Sequence, residues 1–369
     1  MKRAAGAPGQ RPRLLRAGTS VESTALVVGA CVFVLVGVVA WIVFWNRSLP
    51  ISGSGSLGQF IGIAAAVASA VVFAGARIWL GRAAEREGGH GDAARLGLRV
   101  RWYDTVALAV AHGVIALLGW LGVASVFARG FSGAVVFAFS AAVLAAAAVA
   151  ATAYAAFLSA VNLSPTSLSG ILLVFLVVGT FASMLSATDP LWWKQNLSAL
   201  GMSDDISALA FNLTLIIAGV LVTLLAHAVA DALPVATAHE ARGQRRVLGL
   251  LVLLGVLLAC VGIFPVDRFL GIHNTVASGM AVVFVVLVVG LRWFVPTIPR
   301  VFLTLGYVFV GVVVVIAVLF VTGYYNLTAV ELVAFLLIFS WLIVLLRTTG
   351  AMASRTAPET TSRLRASID

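Results

Sequence analysis

Three stretches of this chain gather side chains able to bind ligands or move protons. Asp189, Trp192, Trp193, Lys194, Gln195, Asn196, Ser198, Asp204 and Asp205 crowd one of them, and Asn212 follows one and a half turns into the next apolar run. Asp267, Arg268, His273 and Asn274 form the second, and Tyr324, Tyr325, Asn326 and Glu331 the third. Paired carboxylates beside an imidazole can hold a divalent metal or act as base and acid. One histidine without a cysteine falls short of the three protein ligands that zinc takes. Asp204 and Asp205 are adjacent, so on a helix they point about 100° apart. Ser198 lacks the context of a nucleophile elbow. No cofactor or metal is therefore expected. The same residues also have plain structural uses. Ser203 or Asp204 can cap a helix, Asn212 can hydrogen-bond a neighbouring helix, and Asp267 and Arg268 can pair.

A second set lies away from these stretches. His227 and Asp231 are four residues apart and share a helix face, a spacing that suits a proton relay or a satisfied pair at the headgroup boundary. His112 lies about two turns into its apolar run and should face the interior of a bundle rather than lipid.

The elements that position these groups are apolar. Of 369 residues, 62% are hydrophobic and 10% charged. Such a chain has too little polar surface to cover a soluble core. Ten runs are long enough to cross a bilayer as helices: 24–45, 60–81, 105–127, 134–158, 170–188, 207–230, 247–264, 274–293, 301–322 and 328–346. The reading is an all-α, polytopic helical transmembrane bundle. Period-two alternation is absent, which argues against a membrane β-barrel. The two cysteines, Cys31 and Cys260, sit inside apolar runs and indicate no disulfide framework.

With the amino terminus inside, 20 of the 24 lysines and arginines fall on cytoplasmic segments and only Arg47, Arg129, Lys194 and Arg268 outside. The positive-inside rule then places both termini in the cytoplasm and all three polar stretches outside. It also accounts for the net charge of +10 without nucleic acid as a partner. The expected location is a bacterial plasma membrane, the source being read from the excess of arginine over lysine and the abundance of alanine. Residues 1–23, which are basic, and 347–369 read as polar, disordered cytoplasmic tails. The loop 82–104, with its tip at Gly88–Gly91, reads as a solvated connector. Gly55-Ser56-Leu57-Gly58 resembles Ser198-Ala199-Leu200-Gly201, and AVVF follows both Ser132-Gly133 and Ser278-Gly279-Met280 closely, so spans one to four form a weak repeat of spans five to eight if these matches are not chance.

The second half carries Asn196-Leu197-Ser198-Ala199-Leu200-Gly201, then Phe211-Asn212, Gly262-Ile263-Phe264-Pro265 and His273. In order and spacing these resemble the bacterial and archaeal membrane family known as domain of unknown function 998. The resemblance covers roughly residues 170–346 and leaves spans one to four, about 24–160, as an extension. It implies a six-helix membrane unit and draws attention to Asn196, Ser198, Gly201, Asn212, Gly262, Pro265 and His273. It implies no mechanism.

Three functional readings stay open: a carrier or binder of a small or amphipathic molecule at an outward-facing vestibule, a membrane-embedded enzyme acting on lipid or envelope intermediates, and a non-catalytic scaffold. The bilayer is the partner common to all three. The orientation is directly testable. In intact cells, a membrane-impermeant maleimide should label a cysteine placed at Arg268 and spare one placed at Arg245; the reverse pattern would invert the topology.

Overall fold

The computed structural model describes residues 13–86, 101–202 and 206–366. Asp204 and Asp205, the loop tip at Gly88–Gly91 and the first twelve residues lie outside them. Among the described residues the chain forms ten long helices: α1 (Arg13–Phe44), α2 (Leu57–Arg86), α3 (Trp102–Gly130), α4 (Ala138–Val161), α5 (Pro165–Ser186), α6 (Ile206–Ala232), α7 (Ala238–Ile263), α8 (Leu270–Phe294), α9 (Arg300–Val321) and α10 (Leu327–Ala366). All ten are long and apolar enough to cross a membrane. In hydrocarbon each backbone N–H and C=O must be satisfied within its own segment, and the helix does that. α1 begins at Arg13 and α10 runs on to Ala366, so both helices extend into stretches read from composition as disordered tails.

Helix starts follow local chemistry. Ser164 caps α5 by accepting from the Ser167 amide, with Pro165 in the first turn, where its missing N–H costs nothing. Thr237 and Glu240 form a reciprocal capping box at α7. Asn326 caps α10 through Ala329. Among the described residues the strand pairing is a short antiparallel ribbon. β1 (Ser48–Pro50) pairs with β2 (Val135–Phe137), Leu49 opposite Val136, which ties the α1–α2 loop to the α3–α4 loop.

The helices fall into two groups. In the first, α1 packs chiefly along α4, and α2 against α3 and α4. In the second, α6 lies at the centre, against α5 and α7, and α8 follows α7. The two sets of four thus differ in packing order. Lipid tails compete equally for apolar side chains, so small residues that let backbones approach provide the association. A Cβ at Gly219 of α6 would lie 2.4 Å from the Gly255 carbonyl of α7, and one at Gly255 would lie 2.6 Å from the Gly219 carbonyl. α9 ends the bundle with Val308, Val315, Val318 and Val321 exposed, a face for lipid. It is held by Phe302, stacked on the fully buried Trp341 of α10 at 5.2 Å, with Phe284 of α8 edge-on to the same indole at 5.5 Å.

The groups do not join evenly along their length. At the end that carries Arg77, Arg242 and Arg292, here the basic end, Phe73, Leu108 and Phe157 of the first group share one core with Leu172, Leu221 and Leu251 of the second. Midway, a small cluster of Leu118, Ala182 and Ala210, with Val114 and Val178 packed against it, bridges them. At the opposite end, Phe44, Leu57, Ile61 and Val149 make a core of their own within the first group. The bundle is fused at its basic end and parted at the other.

Gly219→Leu or Gly255→Leu should push the α6–α7 backbones apart, at about 3 kcal/mol, the upper range for overpacking. Gly311→Leu, where a Cβ meets nothing within 4 Å, should be neutral. Melting temperatures of the purified variants in detergent check the contrast; equal loss at all three positions would refute the close crossing.

Candidate functional site

The segment between α5 and α6 folds back over the parted end of the second group as two tight turns, Trp192–Lys194 and Leu197–Gly201. Its polar backbone is held by side chains from three other elements. The Glu331 carboxylate of α10 accepts from the Leu197 amide and also faces that of Ser198. Asn326 donates to the Trp193 carbonyl at 2.8 Å. Asn212 of α6 donates to the Gly201 carbonyl at 3.1 Å. Gly201 leaves room for this contact, because a Cβ there would lie 2.4 Å from Asn212 Oδ1.

His273 completes the arrangement. Its Nδ1 lies 2.8 Å from the Phe264 carbonyl and its Nε2 3.1 Å from Ser198 Oγ. A carbonyl only accepts, so Nδ1 carries a proton, and in the neutral imidazole Nε2 then presents its lone pair to the serine hydroxyl. Serine and histidine thus meet in the orientation used to activate a nucleophile. The surroundings do not continue that pattern. His273 is 5% exposed, no acid bonds to it among the described residues, and neither partner lines the large cleft. The pair fastens the 192–201 turn to the α7–α8 loop.

That cleft occupies the parted end of the bundle, with a volume of about 1020 Å³. The second group lines it with Ser186, Thr188, Asn212, Pro265, Asp267 and Arg268, and the first with Ser52, Ser54, Gln59 and Ser125. Its deeper wall is apolar: Ile63, Leu117, Leu121, Ala208 and Leu209. Asp267 and Arg268 lie 3.8 Å apart at its edge. On the first-group side, Gln59 accepts from the Gly55 amide, while Ser56 caps α2 by accepting from the Gln59 amide. Gly53 and Gly55 take positive φ (99° and 69°), a region open to glycine at little cost, and so shape the turn that forms this rim.

The residues singled out in the sequence therefore divide. Ser198 and His273 come together in the turn-fixing contact. Asn212, Asp267 and Arg268 reach the cleft. Asn196 lies at the start of the second turn beside Leu197, and Asn274 is exposed on the first turn of α8 without lining the cleft. Asp204 and Asp205 lie outside the described residues. At the basic end, His227 bonds the Thr223 carbonyl at 2.9 Å, and no ion pair joins it to Asp231 among the described residues. The Arg101 guanidinium is held above its ordinary pKa first by its bond to Tyr103 and, less strongly, by the charges of Asp104 and Asp231. His112 is satisfied on both nitrogens, by the Leu108 carbonyl (2.7 Å) and Ser159 Oγ (2.9 Å), and stacks on Phe73 at 4.3 Å. The sequence reading missed the first group's share of the cleft, since Ser52, Ser54, Gln59 and Ser125 carry no charge and no motif.

No protein-family profile, curated protein or solved structure matches the chain.

The Ser198–His273 contact generates a thermodynamic test. Ser198→Ala should cost about 1 kcal/mol and His273→Ala about 1–3 kcal/mol, the larger cost reflecting two half-buried partners left unsatisfied. The double variant should be less destabilised than the sum, as contacting residues are coupled. Additive losses in unfolding temperature would show that the two side chains do not interact.

Proposed function

We propose that this multi-pass membrane protein is a carrier or binder of a small amphipathic molecule, taken up in the cleft between its two helix groups at the outer leaflet of the plasma membrane. One observation carries this reading: the groups share a core at the basic end and part around a cleft of about 1020 Å³ at the other. Ligand sites favour such clefts between helices, with mostly apolar walls and few polar groups. The polar rim of Gln59, Asn212, Asp267 and Arg268 suits a headgroup, and the wall of Ile63, Leu117, Leu121 and Leu209 suits an alkyl chain. A bundle fused at one end and parted at the other also suits rocking of one group against its neighbour, the usual motion of alternating access. The 192–201 turn contributes Gly201 and Met202 to the wall, so the Ser198–His273 and Glu331 contacts would set the shape of the cleft from behind.

The resemblance to the domain of unknown function 998 family belongs with this proposal. The Ser198–His273 bond joins two of the elements on which it rests. The same bond is the observation that favours the rival enzyme reading. That reading requires His273→Ala to abolish turnover of an ester-containing lipid while leaving binding intact.

The test of the carrier reading is photolabelling in lipid nanodiscs with a diazirine-bearing lysophospholipid. Crosslinks should concentrate on α2, α3 and α6 at the cleft. Ile63→Trp with Leu209→Trp, both at exposed positions on its wall, should lower them about tenfold, the order of effect expected when about 1.4 kcal/mol of binding is lost. Labelling spread over the lipid-facing sides of α1 and α9, unchanged in the double variant, would reject the cleft as a binding site.

A further inference from the structure

The contact between the 192–201 turn and α10 contains a second feature that the cleft does not use. Two hydrogen bonds bracket it: Asn326 to the Trp193 carbonyl at one end, and Glu331 to the Leu197 amide at the other. Between these anchors lie Asn196 on the turn and Thr328 on the helix. Asn196 Oδ1 and Thr328 Oγ1 are both buried, and neither has a hydrogen-bond partner within the protein. Thr328 is 4% exposed. Buried polar atoms are satisfied in the great majority of cases, so each exception calls for a cause. Asn196 directly precedes Leu197, whose amide the Glu331 carboxylate holds, and Thr328 stands one turn before Glu331, so the two oxygens flank the same hydrogen bond in sequence without bonding each other. Thr328 precedes Glu331 by three residues and so lies on its face of α10.

Glu331 adds charge to this stretch. It is a carboxylate within a membrane span (Leu327–Met352), half-buried, and no salt bridge reaches it among the described residues. Ionisable groups within spans are costly and pair with other charges or mark ion sites. The amides of Leu197 and Ser198 take up part of its lone-pair capacity and do not neutralise it.

We propose that Asn196 Oδ1, Thr328 Oγ1 and the Glu331 carboxylate bind a monovalent alkali cation where the 192–201 turn meets the first turns of α10. The donor set is all oxygen, as hard cations require. A single carboxylate balances one positive charge, whereas calcium takes six to eight oxygens and commonly several carboxylates. A carboxamide, a hydroxyl and a carboxylate between an irregular turn and a helix start follow the pattern of ion sites in transporters, where non-helical backbone supplies further carbonyls. Bound here, the cation ties the turn that walls the cleft to α10. Coupling of that cation to ligand uptake rests on the carrier reading; cation binding does not.

The experiment is the melting temperature of the full-length protein, purified in detergent, in NaCl and in KCl, each against choline chloride at equal ionic strength. At least one alkali salt should raise it by about 2–4 °C, saturating with concentration, as a ligand selective for the folded state does. The rise should vanish in Thr328→Val and in Glu331→Gln. Thr328→Val removes only a hydroxyl that already lacks a partner, so its melting temperature in choline chloride should match the parent. The absence of a rise in both alkali salts, or a rise kept by either variant, overturns the site. A failed photolabelling experiment with a positive result here would remove the carrier reading and leave the cation site standing.

Discussion

The close approach of α6 and α7 is the constraint on which the rest of this structure depends. Gly219 and Gly255 place each backbone against the other's carbonyls. Gly262 continues the contact one level further, since a Cβ there would lie 2.5 Å from the Asn212 carbonyl. Within a bilayer, burial of apolar surface gives two helices no preference for each other over lipid, so this packing has to come from shape. Its reach goes beyond stability. The crossing sets the position of Asn212, which holds Gly201, and of Phe264, which orients His273. A separation of the two helices by a single methyl width would move both ends of the turn-fixing network.

That network solves a backbone problem. Two short turns between α5 and α6 present amides and carbonyls close to the hydrocarbon boundary, where an unsatisfied group is costly. Asn326 and Glu331 from the start of α10 and Asn212 from α6 satisfy backbone groups at three points along the segment, and the Ser198–His273 bond fastens a fourth, side chain to side chain. Long-range side-chain bonds of this kind fix an irregular segment as firmly as a helix. They also explain why polar residues are dense here without forming one binding constellation: most face backbone. Asn196 and Thr328 are the members of this contact that backbone does not satisfy.

The division into two groups has a similarly simple origin. The first group packs on alanine, with Ala141, Ala145, Ala146 and Ala153 buried along α4, and this permits tight pairing of α4 with α1 and α2. The first group joins the second through larger side chains at the basic end and through a small cluster in the middle. The ribbon of β1 and β2 closes the first group's loops on themselves. It leaves the serine-rich turn 52–56 facing the second group across the cleft. A parted end therefore follows from where large and small side chains are distributed.

Much of this was legible in the residues alone. Hydropathy runs of bilayer length located the ten long helices among the described residues, because a span must satisfy its backbone internally and shield it with apolar side chains wherever it sits in the bundle. The density of polar groups around Asn196, Asn212 and His273 marked the segment that needed fastening. Only the tertiary structure decided which of them meet. Ser198 finds His273 across 75 residues, and Leu197 finds Glu331 across 134, and no periodicity encodes contacts at such separations. The spacing of four between His227 and Asp231 shows the converse: a shared helix face permits a pair, but side-chain direction and competing backbone carbonyls settle whether it forms. The cleft was likewise invisible in sequence, since the first group's share of its rim comes from uncharged serines and a glutamine. Span length is a local property of the chain, while the meeting of two loops depends on how ten helices pack.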